Sequence, residues 1–203
     1  MSVRVESTST AGTFSLDGET FEVENNVWVV GDDQECVVLD APHDPAPILE
    51  LVGGRRVKAI LCTHAHDDHV RSAPELAEKT GARIHLHPED APLWELTHPG
   101  RRWDADLADG QVVDVGGTPL RVLHTPGHAP GAVCFYAPEL GEVFTGDTLF
   151  QGGPGATGRS FSDPDLIRAS IRAKLFVLPD ETVVHTGHGP DTTIGAEKAT
   201  MQR

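Results

Sequence analysis

Cationic side chains are scarce in this 203-residue chain: 16 lysines and arginines stand against 31 aspartates and glutamates, a formal net charge of −15. Nucleic-acid binding needs clustered basic residues that displace counterions, and no basic run exceeds Arg55-Arg56 or Arg101-Arg102. A nucleic-acid partner is therefore not expected. Cysteine is also sparse, with Cys36, Cys62 and Cys134 forming an odd number without paired spacing. Cys62 and Cys134 sit in apolar runs and read as small buried hydrophobes, which excludes a disulfide framework and fits a reducing compartment. Long apolar runs are missing too. No stretch approaches the roughly 18 residues of a membrane span, and residues 1–10 lack the apolar segment of a secretory signal. The expectation is a soluble, cytoplasmic protein with no membrane contact. Asparagine occurs twice, and arginine outnumbers lysine twelve to four, usage typical of a GC-rich genome.

What the chain does contain is short strand patterns punctuated by turn residues. Thr13–Leu16, Thr20–Val23, Asn26–Val30 and Glu35–Asp40 are separated by Asp-Gly, Glu-Asn and Gly-Asp-Asp, which read as turns. A helix is expected over Ala46–Val52, ending at Gly53-Gly54. A strand over Val57–Thr63, a helix over Val70–Thr80, a strand over Arg83–Leu86 and a short helix over Pro88–Leu93 follow. Residues 97–110 read as a mobile surface loop. In the second half, strands are expected at 111–115, 118–123, 131–137, 142–145 and 182–185, with a Gly-rich loop at 152–158 and a helix from Asp163 to about Leu175. Strand clusters interleaved with helices in two similar halves imply two sheets face to face with helices outside. The length suits one domain spanning 1–203.

The densest chemistry lies in Thr63-His-Ala-His-Asp-Asp-His69, which places His64, His66, Asp68 and His69 at a strand–loop–helix junction. Residues two apart on an extended segment point to one side, so His64 and His66 can converge on one cation. Asp68 and His69 open the helix and face elsewhere, leaving room for a second. Three further candidates sit on loops just past strands: His128 in Thr125-Pro-Gly-His-Ala-Pro-Gly131, Asp147 in Thr145-Gly-Asp-Thr-Leu-Phe150, and His188 in Gly187-His-Gly-Pro190. Sheets hold such loops at their base while the side chains stay free to converge, and the adjacent glycines let the main chain approach closely.

In order and context these four motifs resemble those of the metallo-β-lactamase superfamily, across roughly residues 20–198, and within it the glyoxalase II-like hydrolases. The resemblance implies an α/β fold, an αββα sandwich of two mixed β-sheets with helices on the outer faces. It also implies a binuclear site. His64, His66 and His128 would hold one metal, Asp68, His69 and His188 the other, and Asp147 would bridge them, with Asp68 and Asp147 taking part in catalysis. Asp40 matches an aspartate that lies beside the ligands and orients them. Histidine and carboxylate donors without thiolate suit zinc, and also iron or manganese.

Two such ions can share a water and lower its pKa from 15.7 to about 7. The implied activity is hydrolysis of a small thioester, an S-acyl derivative of a low-molecular-weight thiol. A lactonase, a mono-iron persulfide dioxygenase using His64, His128 and Asp147, and a silent metal-binding relic stay open. The chain departs from glyoxalase II in having only about 15 residues after the last ligand, so the C-terminal helical substrate domain is expected to be absent and the thiol carrier is open. Arg159 stands where the family has an arginine; anchoring an anionic substrate and bracing its loop are both consistent with it. Of the other histidines, His85 and His87 match no ligand position. His124 and His185 are expected to hydrogen-bond around the site, and His43 and His98 to be solvated, with His98 a candidate for the rim.

Overall fold

The computed structural model describes residues 2–201. Asp17 and Gly18 both take positive φ, 54° and 79°, as a two-residue type I′ hairpin requires. The strands they join, β1 (Arg4–Leu16) and β2 (Glu19–Gly31), pair antiparallel along 13 residues each. This corrects the expected short strands and the turn at Glu24-Asn25. There, pairing of Glu24 with Ala11 and of Asn25 with Thr10 carries the ladder straight through.

β3 (Glu35–Leu39), β4 (Arg56–Leu61), β5 (Arg83–Leu86) and β6 (Ala105–Asp106) extend the sheet in the order β1-β2-β3-β4-β5-β6, parallel from β3 onward. Parallel neighbours need crossovers. The helices α1 (Pro45–Val52), α2 (Asp67–Val70), α3 (Ala73–Thr80) and α4 (Ala91–Thr97) supply them. α1 starts where Asp44 Oδ1 accepts from Ala46 N at 2.8 Å and stops at Gly53, whose left-handed φ of 62° suits glycine. The helix expected over Val70–Thr80 starts earlier, at Asp67, and breaks at Ser72 ahead of Pro74.

β7 (Val112–Val115), β8 (Thr118–His124), β9 (Val133–Ala137) and β10 (Glu142–Gly146) build the second sheet. A ribbon of β11 (Leu149–Phe150) and β12 (Gly153–Pro154) follows, then α5 (Pro164–Ser170), capped by Asp163 and continued by one π-helical turn, Ile171–Leu175. β13 (Val183–Thr186), β14 (Thr192–Thr193) and α6 (Ile194–Met201) complete the chain, and the sheet order is β14-β13-β10-β9-β8-β7. β6, β14 and α6 lie outside the expected elements. Residues 97–110 are not a free loop: Trp103 is 8% exposed, its Nε1 donates to Asp106 Oδ1 at 2.8 Å, and Leu107 is buried.

Side-chain alternation builds the layers. In β3, Cys36 and Val38 face the helices with Val29, Ile48, Ile60, Leu76 and Trp94, while Val37 and Leu39 face the opposite sheet with Leu61, Leu120 and Phe135. On the far side, Cys134, Val143 and Val184 pack with Ile167, Ile171, Leu175 and Ile194. The result is the expected αββα sandwich of two mixed sheets. All three cysteines are buried and free. No helix among the described residues is long and apolar enough to cross a membrane.

Candidate metal centre

Loops at one end of the two sheets deliver the seven candidate ligands. His64 and His66 follow β4, Asp68 and His69 form the first turn of α2, His128 lies between β8 and β9, Asp147 follows β10, and His188 follows β13. A bulge where β10 pairs with β13, between Phe144 and Gly146, re-aims the chain just before Asp147.

In the first cluster, His66 Nδ1 lies 3.1 Å from His64 Nε2 and 3.0 Å from His128 Nε2. Partners assign the protons of those two neighbours. His128 Nδ1 donates to Ala156 O at 2.8 Å. His64 Nδ1 donates to Thr63 Oγ1 at 3.0 Å, whose own proton goes to Asp40 Oδ2 at 2.7 Å. The lone pairs of His64 and His128 thus converge with His66 on one buried point, an arrangement that a cation satisfies and a hydrogen-bond network does not. Burial and the neighbouring imidazoles hold His64 well below the ordinary histidine value and push His66 down to about 3.

The second cluster carries negative charge. Asp68 Oδ2 is 3.6 Å from His69 Nε2 and 3.3 Å from His188 Nε2, and those two nitrogens are 3.3 Å apart. His69 Nδ1 donates to Asp40 Oδ2 at 2.8 Å and His188 Nδ1 to Glu24 O at 2.7 Å, turning both Nε2 atoms inward. Burial alone would lower both imidazoles. The Asp147, Asp68 and Asp40 carboxylates instead raise His69 well above the usual value, and Asp147 with Asp68 raises His188 to about 10. Against its burial, His69 and His188 pull Asp68 down to about 2.

Asp147 lies between the clusters, its Oδ1 3.3 Å from His69 Nε2 and its Oδ2 3.4 Å from His188 Nε2 and 3.6 Å from His128 Nε2. That Oδ1 is buried without a hydrogen-bond partner, a costly state for a carboxylate oxygen unless a cation meets it. Gly187 makes the approach possible, because a Cβ there would collide with Asp147 Oδ1 and come within 2.9 Å of His69 Cε1. The chemistry of the donor set fits divalent metal ions, with His64-His66-His128 and Asp68-His69-His188 as two groups able to hold one each.

Three supporting residues escaped the sequence-based expectation or were only half seen. Asp40 takes φ 63°, which aspartate tolerates better than most residues. Besides His69 and the Thr63 hydroxyl, it accepts from Thr63 N at 2.7 Å. Replacing Asp40 with alanine is expected to cost about 10–100-fold in metal affinity, measured by competition with a chromogenic chelator; unchanged affinity would remove its orienting role. Asp90, buried on the α4 side, accepts from Ala65 N at 2.7 Å and Gly131 N at 2.5 Å, tying the two ligand loops together. Burial pushes its carboxyl up to about 7 against those two donors. Asn25, fully buried, donates Nδ2 to Asp68 Oδ2 at 3.0 Å, and its Oδ1 lies 2.8 Å from His43 Nε2. His43 is therefore engaged rather than solvated. No local signal marked Asn25, which beside Glu24 reads as a turn residue.

His98 is likewise bonded, its Nε2 lying 2.9 Å from Val70 O. His185 sits between Glu142 and Asp191 and stacks on Phe144, remote from the ligand nitrogens. His87, Glu89 and His124 come together as well, but the two rings lie 4.0 Å apart at 15°. Their lone pairs run side by side instead of meeting, and His124 Nε2 reaches Pro130 O at 3.0 Å. Arg159 braces its loop: its Nη1 pairs with Glu19 Oε2 at 2.7 Å, and its guanidinium lies over Phe21 at 4.6 Å.

A cavity of about 570 Å³ opens onto both clusters, walled by Phe14, Val23, Phe150, Gln151, Ala156 and Pro190. Phe14 lies 5.0 Å from the His66 ring and Phe150 6.2 Å from that of His188.

The model of the metallo-β-lactamase superfamily matches residues 21–188. Hydroxyacylglutathione hydrolase GloC of Haemophilus influenzae is 34% identical over 191 residues, covering 86% of this chain and 90% of that protein. Among solved structures, the BLEG-1 B3 metallo-β-lactamase superposes with a TM-score of 0.79 at 30% identity, covering 94% of this chain and 97% of that one. TTHA1623, solved in a di-iron-bound form, gives 0.78 at 38% identity, covering 88% and 94%. With the fold, the motif order and these likenesses in agreement, the chain belongs to the metallo-β-lactamase superfamily, whose metal-dependent hydrolases share its two-sheet frame.

Proposed function

We propose that the protein is a binuclear metallohydrolase that cleaves a small thioester. His64, His66 and His128 would hold one ion, Asp68, His69 and His188 the other, and Asp147 would bridge them. Zinc fits the nitrogen and oxygen donors best, with iron or manganese as substitutes. When bound, the pair supplies a water ionised near neutral pH and an electrophile for the substrate carbonyl. The chain's own contribution is to fix the donors, through Asp40, Glu24 O and Ala156 O, and to keep Asp68 and Asp147 ionised.

One observation carries the choice of a thioester. Apart from the candidate ligands, the cavity wall offers little that could donate a proton to a departing amine: Phe14, Val23, Phe150, Ala156 and Pro190 are apolar, Gln151 is a neutral amide, and the Glu24 carboxylate is turned to Ser9 Oγ, from which it accepts at 2.6 Å. A thiolate leaves unprotonated, whereas an amine does not. The likeness to a hydroxyacylglutathione hydrolase points the same way. The test is a panel of thioesters, lactones and lactams with metal content measured in parallel. Thioester turnover that disappears on chelation and returns with two equivalents of metal is the expected result. Two bound metals with no thioester turnover would overturn the reading.

A further inference from the structure

The walls of this cavity also bear on which thioester it takes, an inference that rests on the hydrolase reading above. Outside the histidines, the charged residues lining it are Glu24, Asp68 and Asp147; Asp68 and Asp147 belong to the metal centre, which leaves Glu24, its carboxylate turned to Ser9 Oγ at 2.6 Å. No lysine or arginine lines it among the described residues. Arg159 lines a small adjoining hollow together with Phe14, Ser160 and the candidate ligands His66 and His128. There Glu19 neutralises it and the Phe14 and Phe21 rings cover it, at 5.8 and 4.6 Å. Ser160 N, bonded to Asp17 Oδ2 at 2.8 Å, holds the same loop to the hairpin tip. A carboxylate or phosphate on the far end of a substrate would therefore meet apolar wall and the Glu24 carboxylate, with no free cationic side chain to repay its desolvation. An uncharged, apolar group would be buried between Phe14 and Phe150.

We propose that the preferred substrates are thioesters uncharged on both sides of the reacting carbonyl, and that esters of anionic thiol carriers are poor ones. The test compares S-butyryl-N-acetylcysteamine with S-butyrylglutathione on the metal-loaded full chain; the acyl groups are identical, the thiols differ in charge and size, and the salt series below isolates the charge. Expected is a kcat/KM at least about tenfold higher for the neutral ester. Rising salt should leave that value flat while raising the glutathione value, because salt screens repulsion between like charges. Glu19→Gln, which releases Arg159, should raise the glutathione value by about two- to fivefold, the scale of one exposed ion pair, and leave the neutral one unchanged. A glutathione ester that matches or exceeds the neutral ester, with a rate that falls as salt rises, overturns this inference and leaves the thioesterase reading standing. Turnover of neither ester by protein holding two metals overturns the thioesterase reading and this inference with it.

Discussion

Asp147→Ala is expected to lose metal and to lower turnover by at least about 1,000-fold, roughly 4 kcal/mol in transition-state stabilisation. Its two oxygens reach both clusters, Oδ1 toward His69 and Oδ2 toward His188 and His128, so this one carboxylate stands between the two halves of the site. Removal has two costs. Each half loses a donor, and His69 and His188 lose the carboxylate that contributes most to balancing their charge. Asp147→Asn separates the two, keeping the shape while removing the charge, and should retain part of the metal. The control is His85→Ala. His85 stands on β5, its Nδ1 buried without a hydrogen-bond partner, and its removal should leave metal content and turnover intact. Metal analysis with a thioester assay on the three variants decides the matter; an Asp147→Ala protein that keeps two ions would end the bridging assignment.

The ligands were legible because metal chemistry writes itself locally. Four donors in Thr63–His69 share one loop and one helix turn, and each later donor is flanked by the glycine or proline that its crowding demands. The layer structure was legible for a similar reason, since the apolar run Cys36–Leu39 only makes sense if both faces of β3 are covered. Asn25 was not legible. Beside Glu24 it has the local preferences of a turn, and only pairing to Thr10 and bonds to Asp68 and His43, 43 and 18 positions away, hold it in a strand. Trp103 failed likewise: it and Leu107 are two scattered hydrophobes in a polar stretch and carry no periodicity, yet they anchor residues 97–110 to the sheet edge. The cavity wall is assembled from a hairpin tip and a glycine-rich loop, Phe14 from one and Phe150 beside the other. No spacing rule connects them, which is why the sequence pointed to the reaction centre and not to what surrounds it.

The two halves of the centre should also respond differently to acid. His66 lies near 3 in the metal-free protein, so it is neutral at pH 6 and a metal entering there displaces no proton from it; burial and the neighbouring imidazoles lower His64 in the same direction. His188 lies near 10, so it is protonated at pH 7 and a metal must expel its proton; the Asp147, Asp68 and Asp40 carboxylates raise His69 as well. Affinity at the Asp68–His69–His188 half should fall by at least about tenfold per pH unit between about pH 8 and pH 6, for the proton displaced from His188, while the other half stays nearly flat. Titration calorimetry in buffers of different ionisation enthalpy reads this directly, as at least about one proton released by one metal equivalent and about none by the other. Equal release by both equivalents would refute the asymmetry. The same ion pairs act oppositely on the empty protein. The folded pKa of His188 is raised above its unfolded value near 6.5, so its pairing with Asp147 and Asp68 contributes full stability below about pH 6.5. That contribution fades as pH rises through about 10. Acid therefore strengthens this corner of the empty fold while weakening its hold on metal, and the proton and the second cation compete for the same place between Asp68 and Asp147.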